Sequence, residues 1–193
     1  LEEATAKRHL PAAKLSKLKS STASNPQCEY ARKLFLFSYY CYGISFIDMA
    51  MLTAAHIKQM EDGDYIVYKR QKIKRQKGVK PISIKITPAI RQLIGSLPTV
   101  DDFLLPIVTR SGYTGERLYM HIRTRYSKYQ KYLRLLAEEL GIDFHLTSYV
   151  SRHTAAMTLQ RNNIPREVIS QMLGHADLET TNIYLDSFDN RVI

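Results

Sequence analysis

The sequence predicts a mainly α-helical domain carrying one small antiparallel β-hairpin or sheet. Capping residues and glycine stops bracket successive helical stretches, and β-branched and aromatic alternation is confined to "DYIVYKRQKI" and "KPISIKI". No internal repeat or low-complexity segment interrupts that order. Residues 1–25 join helix-permissive, basic "LPAAKLSKLK" to "SSTASN", a linker-like composition. With Leu1 in place of a methionine, we expect this segment to arrive from a further N-terminal domain, leaving 26–193 as the main domain.

Asn25 as cap and Pro26 in the first turn open a helix through "QCEYARKLFLFSYYCY", with Gly43 as its stop. Ser45 caps a short helix to about Thr53, with Asp48 near its positive end. The two alternating segments flank a turn at Gly78 and form a basic hairpin. Thr87 and Pro88 open the next helix. A loop with Pro98, Pro106, Gly112 and Gly115 leads to a long helix, "RLYMHIRTRYSKYQKYLRLLAEEL", ended by Gly141. The last third reads as three helices: "TSYVSRHTAAMTLQRN", "PREVISQML" stopped by Gly174, and "DLETTNIYLDS" capped by Asp177.

With 193 residues, 45% hydrophobic and 24% charged, the chain is long enough to bury one sizeable core. No apolar run reaches the length of a membrane span, and no basic-then-apolar leader opens the sequence. Two cysteines, Cys28 and Cys41, make no disulfide framework, so the cytoplasm is the expected compartment. The formal charge of +10 suits a polyanion through phosphate contacts and counterion release. Much of the surplus lies in "YKRQKIKRQKGVK" (68–80), which opens on Tyr68, and in "RTRYSKYQKYLR" (123–134), which is interleaved with tyrosines. Lys69, Arg70, Lys74, Arg75, Lys77, Arg123 and Arg125 are therefore the candidate DNA contacts. A lysine-protected sheet edge would use the same hairpin charges. His145, His153 and His175 have no zinc-ligand spacing, and no glycine-rich nucleotide motif occurs, so no metal or cofactor is expected.

Three features converge near the C-terminus: Arg152 and His153 in "SRHTAAM", His175 in "MLGHADLETT", and Tyr184 in "NIYL". Taken singly, Tyr184 reads as a packing residue, Arg152 as a surface ion-pair partner and His175 as a cation at a helix C-terminus. Their order on consecutive short helices resembles the catalytic domain of the tyrosine recombinases, or phage-type integrases, over about residues 26–186. "LGHADLETTNIY" is the most specific part of that resemblance.

The resemblance implies a DNA breaking-rejoining fold, double-stranded DNA as partner, and cleavage through a 3′-phosphotyrosyl intermediate without metal or ATP. A phenol is a weak nucleophile at neutral pH, and the charge growing on the phosphoryl oxygens must be met by arginine, lysine and imidazole donors. On this likeness Tyr184 is the nucleophile, Arg152 a phosphate clamp and His175 a phosphate hydrogen-bond donor. Lys72 on the hairpin matches the lysine that protonates the leaving 5′-oxygen, with Lys69, Lys74 and Lys77 as alternatives by register. Asp48 and His153 are supporting residues. Self-association as a tetramer on DNA, together with an N-terminal core-binding domain, is implied for the full-length protein.

Two positions depart from the family pattern. In "YGISFIDMA" Ser45 stands where the family has its first arginine, and neighbouring Tyr42 supplies no cation either. Tyr149, three residues before Arg152, stands where histidine is usual, and a phenol there donates a hydrogen bond or weakly accepts a proton. Arg32 and Arg70 are candidates for a substitute cation. Three other functions are consistent with these residues: a recombinase-like DNA-binding protein without catalysis, a type IB-like topoisomerase, and a helical DNA-binding module of another lineage.

Overall fold

Asn25, Ser45 and Thr87 each accept a backbone N–H from the first turn of the helix that follows, so local capping sets the frame of the fold. A computed structural model describes residues 9–175 and 177–189, and the side chains of residues 183, 184 and 187–189 lie outside that description. The order is α1 (Ala12–Ser20), α2 (Pro26–Tyr40), α3 (Phe46–Ala50), a 3₁₀ turn (Ala54–His56), β1 (Ile57–Met60), β2 (Gly63–Tyr68), β3 (Ile82–Lys85), α4 (Pro88–Gly95), α5 (Gly115–Glu139), α6 (Ser148–Arg161), α7 (Arg166–Leu173) and α8 (Leu178–Asp189). The mainly helical class with one small antiparallel sheet is thus the observed one.

Helix α2 is central, packed against α5 on one side and α6 on another. Its Phe35, Phe37 and Leu34 are almost wholly buried, and Tyr129 and Leu133 of α5 meet them in the same core. A second, smaller cluster joins Ala156 of α6, Ile169 and Leu173 of α7, and Leu185 of α8. This cluster attaches the two C-terminal helices to α6.

The sheet differs from the expected hairpin in two ways. It has a third strand, β1, which pairs with β2 from Ile57 opposite Ile66 to Met60 opposite Gly63. The second strand also ends at Tyr68 instead of running to Ile73, because the chain leaves the β2–β3 ladder there and returns only at Ile82. Lys72 consequently lies in the connection over residues 69–81, not on a strand. The short helix after Ser45 ends at Ala50, earlier than Thr53.

Part of the leading segment packs into the domain. Leu10, Leu15 and Leu18 are buried, the Leu10 N–H donates to Thr154 Oγ1 on α6, and the Arg32 guanidinium donates to the carbonyl of Leu18. Burial of the leucine face holds α1 against the core while Lys17 and Lys19 stay exposed.

Candidate functional site

Helix α7 ends at Leu173, and Gly174 follows in the left-handed conformation with φ 64°. A helix end leaves its last carbonyls without intrahelical donors, and its partial negative charge favours cations. Two arginines meet this end. Arg152 of α6 donates through Nη2 to the Leu173 carbonyl at 2.6 Å, and Arg70, just past β2, donates through Nη1 to the Gly174 carbonyl at 3.0 Å. Arg152 also donates to the Gly43 carbonyl at 3.0 Å. The next residue is His175, whose Nδ1 is 2.7 Å from Thr181 Oγ1, a hydroxyl fully buried on the first turns of α8. Asp177 caps that helix by accepting the Thr180 N–H at 2.7 Å. The capping hydrogen bonds from Thr180 hold the Asp177 carboxyl below the ordinary aspartate range.

Tyr184 follows Thr181 by three residues on α8 and immediately precedes buried Leu185. Its backbone is helical, and its side chain lies outside the described residues. Arg166 of α7 bridges to Asp186 at 2.7 Å, a further tie between α7 and α8.

Arg70 and Arg152 line one end of a cleft of about 590 Å³ between α3 and α5. Ser45, Tyr149 and Arg123 line it too. Ser45 cannot act as a cation, and its hydroxyl donates to Asp48 Oδ2 at 2.6 Å. Buried Asp48 uses Oδ1 to accept the Gln71 N–H at 2.7 Å, so it holds the start of the 69–81 connection beside α3. That contact sets where Arg70 emerges. Arg32 lies elsewhere, held by Glu29 at 2.7 Å and by the carbonyl of Leu18, and takes no part in the cleft.

The remaining expected residues separate into groups. Lys69, Lys72, Lys74, Arg75 and Lys77 are exposed along the 69–81 connection and do not line the cleft. Arg123 is exposed on α5, with its guanidinium 5.9 Å from the Tyr119 ring centroid. Arg125 is not beside it: its guanidinium lies over the Tyr30 ring at 5.2 Å, and its buried Nε has no hydrogen-bond partner among the described residues. This follows from helical spacing, since Ile122 and Tyr129 of α5, three residues before and four after, are both core residues. Tyr149 is 64% exposed on the cleft rim, with its ring 6.3 Å from that of His153. The tie between Asp48 and Gln71 was not legible in the sequence, because the donor is a main-chain group. Thr181, inside the threonine pair of "LETT", was legible as a motif member but not as the partner of His175.

Arginines thus gather at a Leu-Gly-His turn in a helical domain, and a tyrosine stands on the following helix. The chain belongs to the phage integrase family, which it matches over residues 9–191. It is 30% identical over 128 residues to tyrosine recombinase XerD of Brucella abortus biovar 1 (strain 9-941), a match covering 61% of this chain and 38% of that protein. It is 43% identical over 54 residues to tyrosine recombinase XerD of Halalkalibacterium halodurans, covering 28% of this chain and 18% of that protein. In fold it is similar to the Tn1549 transposon integrase in complex with circular intermediate DNA, with a TM-score of 0.68 at 14% identity over 98% of this chain and 68% of that one. It is also similar to XerA recombinase, with a TM-score of 0.62 at 20% identity over 95% and 63% of the two chains. Among the described residues no helix is long and apolar enough to cross a membrane.

Proposed function

We propose that this chain is the catalytic part of a site-specific DNA recombinase of the integrase kind, acting on double-stranded DNA. The observation that carries the reading is the meeting of Arg152 and Arg70 at the two carbonyls that precede His175, with α8 and Tyr184 fastened to the same turn. In this reading the Tyr184 phenol attacks phosphorus, one P–O bond to tyrosine forms, and the P–O5′ bond breaks. The phenol loses its proton and the leaving 5′-oxygen gains one from Lys72. Arg152 and Arg70 stabilise the equatorial charge. Arg70 supplies the cation that Ser45 does not.

In this reading Thr181 donates to His175 Nδ1, which puts the imidazole proton on Nε2, the form that donates to a phosphate oxygen. Asp48 positions the connection bearing Arg70 and Lys72, His153 supports the Arg152 helix, and Tyr149 donates to the reacting phosphate from the rim. Lys69, Lys74, Arg75, Lys77 and Arg123 contact the DNA backbone. The leading residues continue from a core-binding domain, the full-length protein assembles as a tetramer on paired sites, and the site of action is the cytoplasm.

The test is strand cleavage of a nicked duplex carrying the recombination site of its own element, with the covalent protein–DNA product read on a denaturing gel. Wild type forms the product and Tyr184→Phe does not. A wild-type protein that binds this duplex but never forms the product contradicts the reading.

A further inference from the structure

The cleft beside the two arginines is poorly suited to a sugar-phosphate backbone over most of its length. Only Arg70, Arg123 and Arg152 bring charge to it. Its floor is Ile44, Phe46 and Ile122, which are 2%, 6% and 4% exposed, and Tyr119 and Tyr149 stand at its edges 55% and 64% exposed. A phosphodiester pressed against that floor would lose water without gaining partners. A paired base offers only its edge, because both its faces are stacked. An unpaired base offers a flat apolar face to match tyrosine rings, with its phosphate within reach of arginine.

We infer that this cleft receives a single DNA base extruded from the duplex next to the phosphate held by Arg70 and Arg152, with Tyr119 as its stacking platform. The inference rests on DNA being the substrate. The volume of about 590 Å³ is within the range of small-molecule sites and admits a nucleotide. The Arg123 guanidinium lies over the Tyr119 ring, 5.9 Å from its centroid, and supplies charge where the backbone of an extruded nucleotide would turn. Stacking in the cleft offsets the cost of unpairing, and that cost is least where the base has no partner.

The experiment uses the full chain and two short duplexes of one sequence, in which a 5-iodouracil faces either adenine or an abasic site. Competition binding is followed by photocross-linking and peptide mapping. The expected result is about tenfold tighter binding of the unpaired duplex, with the cross-link in the α5 peptide bearing Tyr119. Tyr119→Ala abolishes the preference, Tyr119→Phe retains it, and neither alters matched-duplex affinity by more than about twofold. Equal affinity for the two duplexes, a cross-link outside the cleft, or a preference that survives Tyr119→Ala overturns the inference while leaving the DNA reading intact. Failure to bind either duplex at low salt overturns both.

Discussion

Gly43 packs directly against Arg152: a Cβ added to the glycine would fall 2.6 Å from the Cβ and Cγ of the arginine. Gly43 also has φ +75°, where a side chain is strained, and its carbonyl accepts from Arg152 Nη1. The close approach lets the segment before α3 act as a template for the arginine. Gly43→Ala is therefore expected to cost about 2–5 kcal/mol from combined backbone strain and overpacking. Urea unfolding measures it, and a loss below about 1 kcal/mol would show that Arg152 does not depend on this contact.

Arg70 and Arg32, the two substitute cations considered from sequence, are predicted to behave in opposite ways. Arg70→Ala lowers the strand-cleavage rate by about 10²–10³-fold while stability changes little, as for loss of one transition-state donor. Arg32→Ala leaves Glu29 without its cation in a largely buried place and costs about 3–5 kcal/mol of stability. Cleavage rates of the protein that remains folded stay near wild type. Single-turnover cleavage and denaturant titration on both variants separate the two roles.

Gly174 gives a finer test, because it has φ +64° and a Cβ there would meet Ile82 Cδ1 at 2.5 Å and Arg70 Cδ at 2.8 Å. Gly174→Ala is expected to push Arg70 from the carbonyl it holds and reduce cleavage more than the affinity for DNA. The comparison of cleavage rate at saturating DNA with the binding constant reads this directly.

The Asp48 bond to the Gln71 N–H predicts that Asp48→Ala frees the 69–81 connection, whereas Asp48→Asn, which keeps an acceptor oxygen, largely preserves it. Amide exchange at residues 69–77 measures the difference. Faster exchange in the alanine variant and near-native exchange in the asparagine variant are the expected pair.

Acid should loosen the attachment of α1. Burial pushes the Glu29 carboxyl upward, but hydrogen bonds from Arg32 and from the Ala23 N–H outweigh it, and the net shift is below the ordinary glutamate value of 4.5. A carboxylate with a depressed pKa binds fewer protons folded than unfolded. Its stabilisation is present above the ordinary value and is lost as pH falls through the lower folded one. Urea midpoints measured from pH 7 downward are expected to fall more steeply for wild type than for Glu29→Gln in that acidic window.

What was legible in the sequence was local. Asn25, Ser45, Thr87 and Asp177 mark helix starts because each side chain bonds a backbone N–H within three residues, and Gly174 marks a stop for an equally local reason. Strand β1 was not legible: "IKQM" lacks alternation, and its ladder depends on Tyr65 and Ile66 across the turn. The leading segment read as a linker because its lysines dominate its composition, whereas Leu15 and Leu18, one turn apart, form the buried face of α1. In the candidate site the residue types Arg152 and His175 stood out by motif. The identity of the second arginine did not, since Arg70 sits among six other Lys and Arg residues between 69 and 80 and is singled out only by its contact with Gly174, 104 residues further on.

The most direct test of the central claim is to digest the covalent protein–DNA product and identify by mass spectrometry the residue that carries the nucleotide. The account predicts a 3′-phosphonucleotide ester on the α8 peptide, attached to Tyr184. Attachment to another residue, such as the exposed Tyr149, would contradict it.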